Sequence, residues 1–437
     1  MKKSKRNRIE SVSVLTLGCS KNMVDSENLL GLLESNDYKL TSDADHADAL
    51  VINTCGFIKS AKEESIKLIL DAAELRRRKQ IKKLIVSGCL TERYSNDLKK
   101  QIKNVDGFFG VNQNEDIVKA LNHDPKINLL NERFLLTPNH FAFMKISEGC
   151  DRDCSYCAIP MIRGGHISRP IEELVDEAKQ LADKGVREIN MIAQDSTFYG
   201  LDLYKKRKLA ELTERIADVD GIEWVRIHYA YPAGFPEDVL DLMNRHPNVC
   251  NYLDIPLQHI SDNVLKSMRR GVGKAKQYEL IEKFRSKVPD LAIRSTFIVG
   301  YPNESEENFK ELYQFFEDAQ LDRVGIFTYS QEDNTHADPL GDPIPEDTKN
   351  ERRNALMELQ QGISLKKNEE KVGNKLKVMI DEINPDYYFG RTEHDAPEVD
   401  NGVIISKSTK VKPGDFCMVK ITEAEEYDLI GEIEEVL

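Results

Sequence analysis

Apolar and polar positions in the first part of the chain alternate in the rhythm of strands followed by helices. Short apolar runs over residues 12–17, 49–52 and 84–86 predict three strands. Residues 25–34 and 60–78 lie between these runs and have the pattern of helices. A β–α–β–α–β order predicts a parallel sheet with helices on its faces.

The middle of the chain repeats this alternation. Six further apolar runs cover residues 142–148, 188–194, 224–230, 251–257, 292–299 and 324–329. Helical patterns lie between them, including residues 171–184, 209–218, 278–287 and 306–319. Six β/α units predict an incomplete parallel barrel rather than the eight-unit TIM barrel.

The pattern changes after the barrel. Residues 347–372 contain strong helix formers and mixed charge, which predict a solvated connecting helix. Strand patterns follow at residues 376–380, 403–406, 416–421 and 429–433, and we interpret them as a small all-β barrel. The fold class is therefore α/β, with three predicted domains. They are an N-terminal parallel-sheet domain (9–125), a central incomplete barrel with its connecting helix (136–370) and an all-β barrel (372–437).

Length and composition agree with this division. The chain has 437 residues, more than one ordinary hydrophobic core accommodates. Residues 122–140 are polar and read as a linker, and the basic residues 1–6 read as a solvated tail. No apolar run approaches about 18 residues, so we expect no membrane-spanning helix and no membrane partner. We expect the protein to stay in the cytosol.

Three cysteines lie close together after the first barrel strand, in the spacing Cys150-x3-Cys154-x2-Cys157. The cytosol is reducing, so disulfides are not expected. Three thiolates can hold three irons of a cubane cluster and leave the fourth iron open to a small ligand. The alternatives are a zinc site, which normally shows two separated Cys/His pairs, and cysteines that merely pack in the core.

A second set consists of Cys19, Cys55 and Cys89, which are far apart in sequence. Each follows a strand of the same predicted parallel sheet, and ligands bind beyond the carboxyl ends of such strands. Because neighbouring strands lie about 4.8 Å apart, these thiols are predicted to meet at one site. The alternative is three buried cysteines near strand ends. Cys250 and Cys417 match no ligand pattern and are predicted to be packing residues.

The cysteine spacing at residues 150–157 resembles the signature of the radical S-adenosylmethionine superfamily. A three-cysteine α/β domain, this signature and a C-terminal barrel of the TRAM type follow one another in the order found in the methylthiotransferase family, over residues 9–437. Residues 16–27 are most similar to the branch that modifies an aspartate of the twelfth small-subunit ribosomal protein. Ser20 departs from the proline that many members have at this position.

The resemblance implies two [4Fe-4S] clusters and S-adenosylmethionine as cofactors. One cluster, on Cys150, Cys154 and Cys157, binds S-adenosylmethionine and supplies the electron that cleaves it to a radical. The other, on Cys19, Cys55 and Cys89, holds the sulfur that is delivered as a methylthio group to the β-carbon of the aspartate. An electron donor is then needed as a partner.

The resemblance also implies side chains that contact S-adenosylmethionine. They are Tyr156 and Ile298 on the adenine side, Gln194 and Asp195 near the amino group, and Arg294 near the carboxylate. Ordinary packing is the alternative for Tyr156, a plain loop for residues 298–302, and a salt bridge with a neighbouring strand for Arg294. Arg163 and Arg169 follow the cysteine loop and are expected to orient it. His228, Gln258 and His259 are interpreted as structural polar residues.

Charge bears on the substrate. The net charge is -14, and residues 372–437 contain seven Lys and Arg against fifteen Asp and Glu, 7 - 15 = -8. RNA binding usually needs a basic face, whereas an acidic module attracts a basic protein. This favours a basic small-subunit ribosomal protein, free or on the ribosome, over an adenosine of transfer RNA. A non-enzymatic iron–sulfur electron carrier is a third reading, for which four-cysteine clusters are expected.

Overall fold

The computed structural model describes residues 8–121 and 133–437. The predicted solvated tail, and part of the linker predicted at 122–140, lie outside these residues. The chain divides into two compact units. The first contains the residues up to Leu136 with Glu148–Asp151 and Ala158–Gly165, and the second contains Thr137–Ser147, Arg152–Cys157 and His166–Leu437. The boundaries of the three sequence domains remain a prediction.

The first unit is built on a five-stranded parallel sheet of order β2-β1-β3-β4-β5. Its elements are β1 (Ser11–Thr16), α1 (Ser20–Ser35), β2 (Lys39–Leu40), β3 (Ala49–Thr54), α2 (Lys59–Arg77), β4 (Lys83–Gly88), α3 (Cys89–Gln101), β5 (Gly107–Phe108) and α4 (Asn114–Leu121). The predicted parallel sheet is confirmed. The short edge strands β2 and β5 and the helices α3 and α4 were not predicted.

Two apolar clusters cover the two faces of this sheet, as burial on both sides of a parallel sheet requires. Ala49 and Val51 of β3 pack with residues of α1 and α4, while Leu50 and Ile52 pack with residues of α2 and α3. The strands are therefore apolar at successive positions. The register pairs Thr16 with Asn53, and Thr54 with Gly88, so β1, β3 and β4 end at the same edge.

The second unit contains a six-stranded parallel sheet whose strands follow one another in sequence order, with β6 and β13 at its edges. The elements from the end of the first sheet to β13 are β6 (Phe141–Lys145), β7 (Ser147–Glu148), α5 (Ile159–Arg163), β8 (Ile167–Ser168), α6 (Ile171–Asp183), β9 (Glu188–Ile192), α7 (Leu201–Tyr204), α8 (Leu209–Ala217), β10 (Trp224–Ile227), α9 (Asp238–Arg245), β11 (Val249–Asp254), α10 (Asp262–Ser267), α11 (Lys274–Lys287), β12 (Ala292–Val299), α12 (Glu306–Ala319) and β13 (Arg323–Thr328). The predicted incomplete barrel of six β/α units is confirmed.

The C-terminal part of this unit is a closed five-stranded barrel of order β14-β15-β16-β18-β17. The remaining elements are α13 (Glu346–Glu369), β14 (Lys375–Ile383), β15 (Tyr387–Thr392), β16 (Val403–Ser406), β17 (Phe416–Ala424) and β18 (Leu429–Val436). Cys417 lies in its apolar core and Cys250 is buried in β11, so both are packing residues as predicted. Strand β15 was missed because Gly390 and Arg391 interrupt its apolar pattern.

Helix α13 corrects one prediction. It is not merely a solvated connector, because Leu356 and Ile363 on one face are buried together with Lys349 and Arg352. The Lys349 ammonium donates hydrogen bonds to the Tyr329 carbonyl at 3.2 Å and to Asp342 Oδ2 at 2.7 Å. Mixed charge on a helix therefore reflects buried ion pairs here as well as solvation.

A helix must be both long and apolar to cross a membrane. Across residues 8–121 and 133–437, no helix combines the length and the apolar character needed to cross a bilayer.

Candidate functional site

The three N-terminal cysteines all lie at the carboxyl edge of the first sheet. Cys19 caps the amino end of α1, Cys55 directly follows β3, and Cys89 is the first residue of α3. The strands that precede them, β1, β3 and β4, are neighbours in the sheet. Helix amino ends carry partial positive charge, so α1 and α3 favour a negatively charged group at this edge of the sheet.

Two glycines allow the backbone to turn tightly beside these thiols. Gly18 has a φ of +97°, and a Cβ there would lie 2.9 Å from Cys55 Cβ and 3.1 Å from Cys55 Sγ. Gly88 has a φ of +96°, and its Cβ would lie 2.3 Å from Asn53 Oδ1. Any larger residue would push into the space between the cysteines, so the cradle is specific to glycine.

The three N-terminal cysteines influence one another electrostatically. Burial raises the pKa of Cys89 to about 11, the Arg163 guanidinium opposes this, and negative charge on Cys19 or Cys55 would raise it further. Burial also raises the pKa of Cys55, and Cys19 adds to that rise. Three mutually repelling thiolates need a bound positive group, since metal coordination deprotonates a thiol outright. This fits an iron–sulfur cluster at the carboxyl edge of the sheet.

Two polar side chains contact Cys89. Asn22 is fully buried and donates hydrogen bonds to the carbonyls of Leu17 at 2.8 Å and Thr54 at 3.1 Å. Its Oδ1 accepts a hydrogen bond from the Cys89 thiol at 3.5 Å. Arg163 Nη2 lies 3.6 Å from Cys89 Sγ. The sulfur is thus held between an amide and a guanidinium.

The second cysteine set lies on the loop after β7. The Cys150 amide donates to the Gly164 carbonyl at 3.0 Å, within the first unit. In the second unit the Ser155 amide donates to the Met268 carbonyl at 3.0 Å, and the Ser155 carbonyl accepts from the Ala337 amide at 2.7 Å. The Cys157 amide donates to the Cys154 carbonyl at 3.1 Å. The loop is therefore fixed by its backbone, which leaves the sulfurs to serve as ligands.

Arg270 is the charged partner of this loop. Its Nη1 lies 3.3 Å from Cys154 Sγ, and its guanidinium lies 4.3 Å from the ring centroid of Tyr231. The Tyr231 hydroxyl donates to the Arg270 carbonyl at 2.7 Å. A buried cation next to a sulfur stabilises negative charge on a thiolate or on a cluster.

Two of the residues predicted to contact S-adenosylmethionine lie together. Tyr156 and Ile298 both pack against the apolar cluster formed around Met268, Tyr301 and Tyr329. Burial raises the pKa of the Tyr156 hydroxyl well above its usual range, and Arg270 Nη1 donates to that hydroxyl at 3.5 Å. The pair offers an apolar surface with a neutral phenol, which suits an adenine ring.

Gln194 and Asp195 follow β9 as predicted. Asp195 Oδ2 accepts from Arg152 Nε at 2.7 Å, and Oδ1 accepts from the Thr197 amide at 2.9 Å. Arg152 lies within the cysteine motif, so Asp195 holds that loop. The contact of Gln194 and Asp195 with a cofactor amino group remains a prediction.

Arg294 forms ion pairs on two sides. It lies near the amino end of β12, where Nη1 bonds Asp254 Oδ1 at 3.1 Å and Nε bonds Asp400 Oδ1 at 3.2 Å. The carboxyl end of that strand, near Ile298, is the end that the cysteine loop faces. The alternative of a salt bridge with the neighbouring strand describes these contacts of Arg294, and its contact with a cofactor carboxylate remains a prediction.

The zinc alternative requires several ligands grouped around one ion. Among the described residues, no three His, Cys, Asp or Glu side chains form a group that could hold a single metal ion. Zinc draws its four ligands onto one ion, with sulfur at about 2.3 Å, whereas a cubane attaches each thiolate to a different iron.

Several site features were not found from the sequence. Asn22 and Arg270 have no motif of their own, although Asn22 lies one helical turn after Cys19. Tyr229 and Gln258 follow β10 and β11 with φ of 58° and 74°, in the left-handed region that non-glycine residues adopt uncommonly. The interpretation of His228 as a structural residue agrees with its hydrogen bond to Asn190 Oδ1 at 3.0 Å.

Family models match three parts of the chain. The radical SAM superfamily model matches residues 144–316, the uncharacterized protein family UPF0004 matches residues 11–110, and the TRAM domain matches residues 372–433. The fold is similar to that of the radical S-adenosylmethionine methyltransferase TsrM from Kitasatospora setae with cobalamin and [4Fe-4S] cluster bound. The TM-score is 0.56 at 13% identity, over 76% of this chain and 77% of that one.

The fold and the cysteine motif define a radical S-adenosylmethionine enzyme, a class that contains a [4Fe-4S] cluster and uses S-adenosylmethionine. The ribosomal protein uS12 methylthiotransferase RimO of Flavobacterium johnsoniae is 53% identical over 99% of both chains. That of Christiangramia forsetii is 52% identical over 99% of this chain and 95% of the relative. The chain belongs to the RimO family of radical S-adenosylmethionine methylthiotransferases.

Proposed function

We propose that this enzyme attaches a methylthio group to the β-carbon of an aspartate in ribosomal protein uS12, with two [4Fe-4S] clusters and S-adenosylmethionine as cofactors. The observation that carries the proposal is the convergence of Cys19, Cys55 and Cys89 at the carboxyl ends of three neighbouring strands. A radical enzyme that only cleaves S-adenosylmethionine needs one three-cysteine site. A second such site supplies the sulfur that transfer of a methylthio group requires.

The residues divide the work between the two sites. Cys150, Cys154 and Cys157 would hold the cluster that binds S-adenosylmethionine, and Cys19, Cys55 and Cys89 the sulfur-donating cluster. The clusters supply one-electron chemistry and sulfur. The chain supplies the fixed loop, the apolar surface at Tyr156 and Ile298 for adenine, and the polar groups of Gln194 and Asp195 for the amino group.

The C-terminal barrel supports a basic protein as substrate. Its β17–β18 hairpin exposes six glutamates, which are Glu423, Glu425, Glu426, Glu432, Glu434 and Glu435. Three other acids of the barrel, Asp381, Asp395 and Asp400, are buried in ion pairs and contribute little to the outer surface. Much of the exposed negative charge of the barrel therefore lies on the hairpin, where it repels phosphate and attracts a ribosomal protein rich in Lys and Arg.

Two partners follow from the chemistry. Reductive cleavage of S-adenosylmethionine consumes an electron, so a cellular electron donor must serve the enzyme. A ribosomal substrate places the reaction in the cytosol, on free uS12 or on the assembled subunit.

The proposal is tested with anaerobically reconstituted enzyme and purified uS12. Two cubanes predict about eight irons per chain. Replacement of Cys19, Cys55 and Cys89 together by alanine should halve this number, preserve formation of 5′-deoxyadenosine and abolish methylthio transfer. Cys417→Ala is the matched control, because this buried cysteine lies outside both sets, and it should keep the full iron content.

Three results would contradict the proposal. An unchanged iron content in the triple variant would show that Cys19, Cys55 and Cys89 hold no cluster. A methylthio group found on transfer RNA, with uS12 unmodified, would assign the enzyme to the other substrate. If the clusters can be reduced but no 5′-deoxyadenosine is formed, the result would favour a non-enzymatic electron carrier.

A further inference from the structure

A short segment after the cysteine motif contacts one cysteine of each set. This segment is α5 with Gly164, and it belongs to the same compact unit as Cys19, Cys55, Cys89 and Cys150. The Gly164 carbonyl accepts from the Cys150 amide at 3.0 Å. The preceding residue, Arg163, places Nη2 3.6 Å from Cys89 Sγ. Two successive residues thus connect a ligand of one predicted cluster to a ligand of the other.

The Arg163 guanidinium is held on several sides. Nη2 donates to Asn22 Oδ1 at 2.7 Å and to Asp25 Oδ2 at 2.9 Å, and Nη1 donates to Glu148 Oε1 at 2.9 Å. The side chain is 2% exposed. Asn22 and Asp25 lie on α1, which begins at Cys19, and Glu148 lies two residues before Cys150. A planar guanidinium matches this set of acceptors, and a lysine ammonium cannot contact all of them at once.

A buried arginine is costly unless it is paired, and two carboxylates partner this one. Packing alone does not explain its approach to a sulfur. Hydrogen bonds to sulfur and nearby charge are the factors by which a protein sets the potential of an iron–sulfur cluster. A cation at Cys89 stabilises the more negative, reduced form of a cluster bound there.

Arg169, six residues later, provides the contrast. Its guanidinium bonds Glu173 and Glu177 on α6 and donates to the Lys145 carbonyl at 3.0 Å. It therefore holds a helix to a strand. The two arginines share charge and sequence neighbourhood but differ in whether their partners include a cysteine.

We propose that Arg163 is a positioning residue of the sulfur-donating site, which fixes Cys89 relative to Cys150 and donates a hydrogen bond to the sulfur of the ligated Cys89. This inference rests on the proposed second cluster. Its consequence is that Cys89, with the sulfur delivered from its cluster, keeps a fixed place relative to Cys150.

The first experiment isolates the N-terminal cluster. Replacing Cys150, Cys154 and Cys157 by alanine gives a parent that retains one cluster, with about four irons. Arg163→Gln in this parent should keep the iron but lower the midpoint potential. At a fixed potential the ratio of reduced to oxidised cluster should fall at least tenfold, which is about 59 mV for a one-electron couple. Arg169→Gln should leave the potential of the parent unchanged.

The second experiment uses the full chain and measures coupling, the ratio of methylthiolated uS12 to 5′-deoxyadenosine formed. Arg163→Gln should lower this ratio several-fold because Cys89 is no longer fixed relative to Cys150. Arg163→Lys retains the charge but loses the multiple hydrogen bonds, so it should give an intermediate potential and reduced coupling. If Arg163→Gln fails to fold, the Arg163→Lys variant still tests the proposal.

The outcomes separate the two proposals. A parent without Cys150, Cys154 and Cys157 that binds no iron contradicts the second cluster itself. If the parent binds iron, but neither Arg163 substitution changes the midpoint potential or the coupling, the role of Arg163 alone is overturned.

Discussion

Gly88 precedes Cys89 with φ of +96° and ψ of -160°, a backbone region that is essentially restricted to glycine. Gly88→Ala should destabilise the protein by about 1–3 kcal/mol through backbone strain, and by more through the Cβ that would meet Asn53 Oδ1. We expect a lower melting temperature and loss of iron from the N-terminal site. Gly185→Ala is the control, because Gly185 has a φ of +94° with open space around its Cβ. Equal effects of the two substitutions would show that contact with Asn53 is unimportant.

A second residue-scale prediction concerns Arg270, which lies 3.3 Å from Cys154 Sγ. Arg270→Met removes this hydrogen bond and its positive charge, so the cluster on the Cys150–Cys157 loop should become harder to reduce. In a chain with Cys19, Cys55 and Cys89 replaced by alanine, a redox titration should show at least a tenfold lower reduced fraction, about 59 mV. Arg269→Gln alters an exposed ion pair with Asp153 and should have no such effect. A potential unchanged by Arg270→Met would rule out this role.

At this scale the sequence supplies the candidate ligands but not their partners. The six cysteines follow from spacing and from positions at strand ends, both of which are local properties. The contacts of Asn22 and Arg270 depend on how distant elements pack. Arg294 poses the same problem, because a charged residue in a barrel strand has no local feature that separates a cofactor contact from an ion pair with Asp254.

At the scale of elements, α13 has a role that its charge pattern conceals. Arg352 Nη1 bonds Glu304 Oε1 at 2.7 Å, and Glu304 Oε2 accepts from the Gly300 amide at 2.9 Å. Gly300 belongs to the turn after β12 that is predicted to contact adenine. The helix therefore stabilises that turn through a fully buried carboxylate.

Arg352→Gln should leave the Glu304 carboxylate buried without its cation, at a cost of about 3–5 kcal/mol. We expect a lower stability by denaturant unfolding and weaker binding of S-adenosylmethionine, measured by titration. Arg353→Gln is the matched control, since the neighbouring arginine is exposed and bonds only Asn354 Oδ1 among the contacts that the structure describes. Similar losses in the two variants would mean that the Glu304 pair does not support the turn.

The elements that the sequence predicts well are those with a strong period. Strand β12 matches its predicted range. Each helix that was predicted between α6 and α12 has its last residue within one residue of the predicted one. Strands of two residues, such as β2 and β5, are too short to show a period. Helix α3 was missed although it begins at Cys89, because its polar residues mask the apolar face.

At the scale of the whole molecule, buried ion pairs join the two parts of the second unit. Glu188 of β9 is fully buried and bonds Arg226 of β10 and Arg391 of β15, and Arg391 also bonds Asp381 of β14. Arg323 of β13 pairs with Asp395 in the same way. These pairs connect the parallel sheet to the C-terminal barrel. They account for several acids that the sequence alone assigns to the surface.

These buried groups also predict how stability depends on pH. Burial alone would raise the pKa of Asp395, but Arg323, Lys371 and the Thr392 hydroxyl outweigh it and hold the pKa at about 2. The contribution of Asp395 to the free energy of unfolding is complete above the ordinary pKa of 3.8 and is lost as pH falls toward 2. Burial lowers the pKa of the neighbouring His394 below 6.5, although Glu393 opposes this. Unfolding lets this histidine take up a proton. Its contribution to the free energy of unfolding is therefore complete above pH 6.5 and is lost as the pH falls.

His394→Gln should therefore flatten the decline in the free energy of unfolding between pH 7 and pH 5, a decline to which one histidine contributes at most about 1.4 kcal/mol per pH unit. Asp395 contributes no slope in this window, since its pKa lies well below it. Denaturant unfolding of both proteins at several pH values, under anaerobic conditions, measures the difference. His46→Gln is the control: this exposed histidine has a pKa raised by Asp43, so its small contribution has the opposite sign and its removal cannot flatten the curve. A slope unchanged by His394→Gln would mean that folding does not lower the pKa of His394.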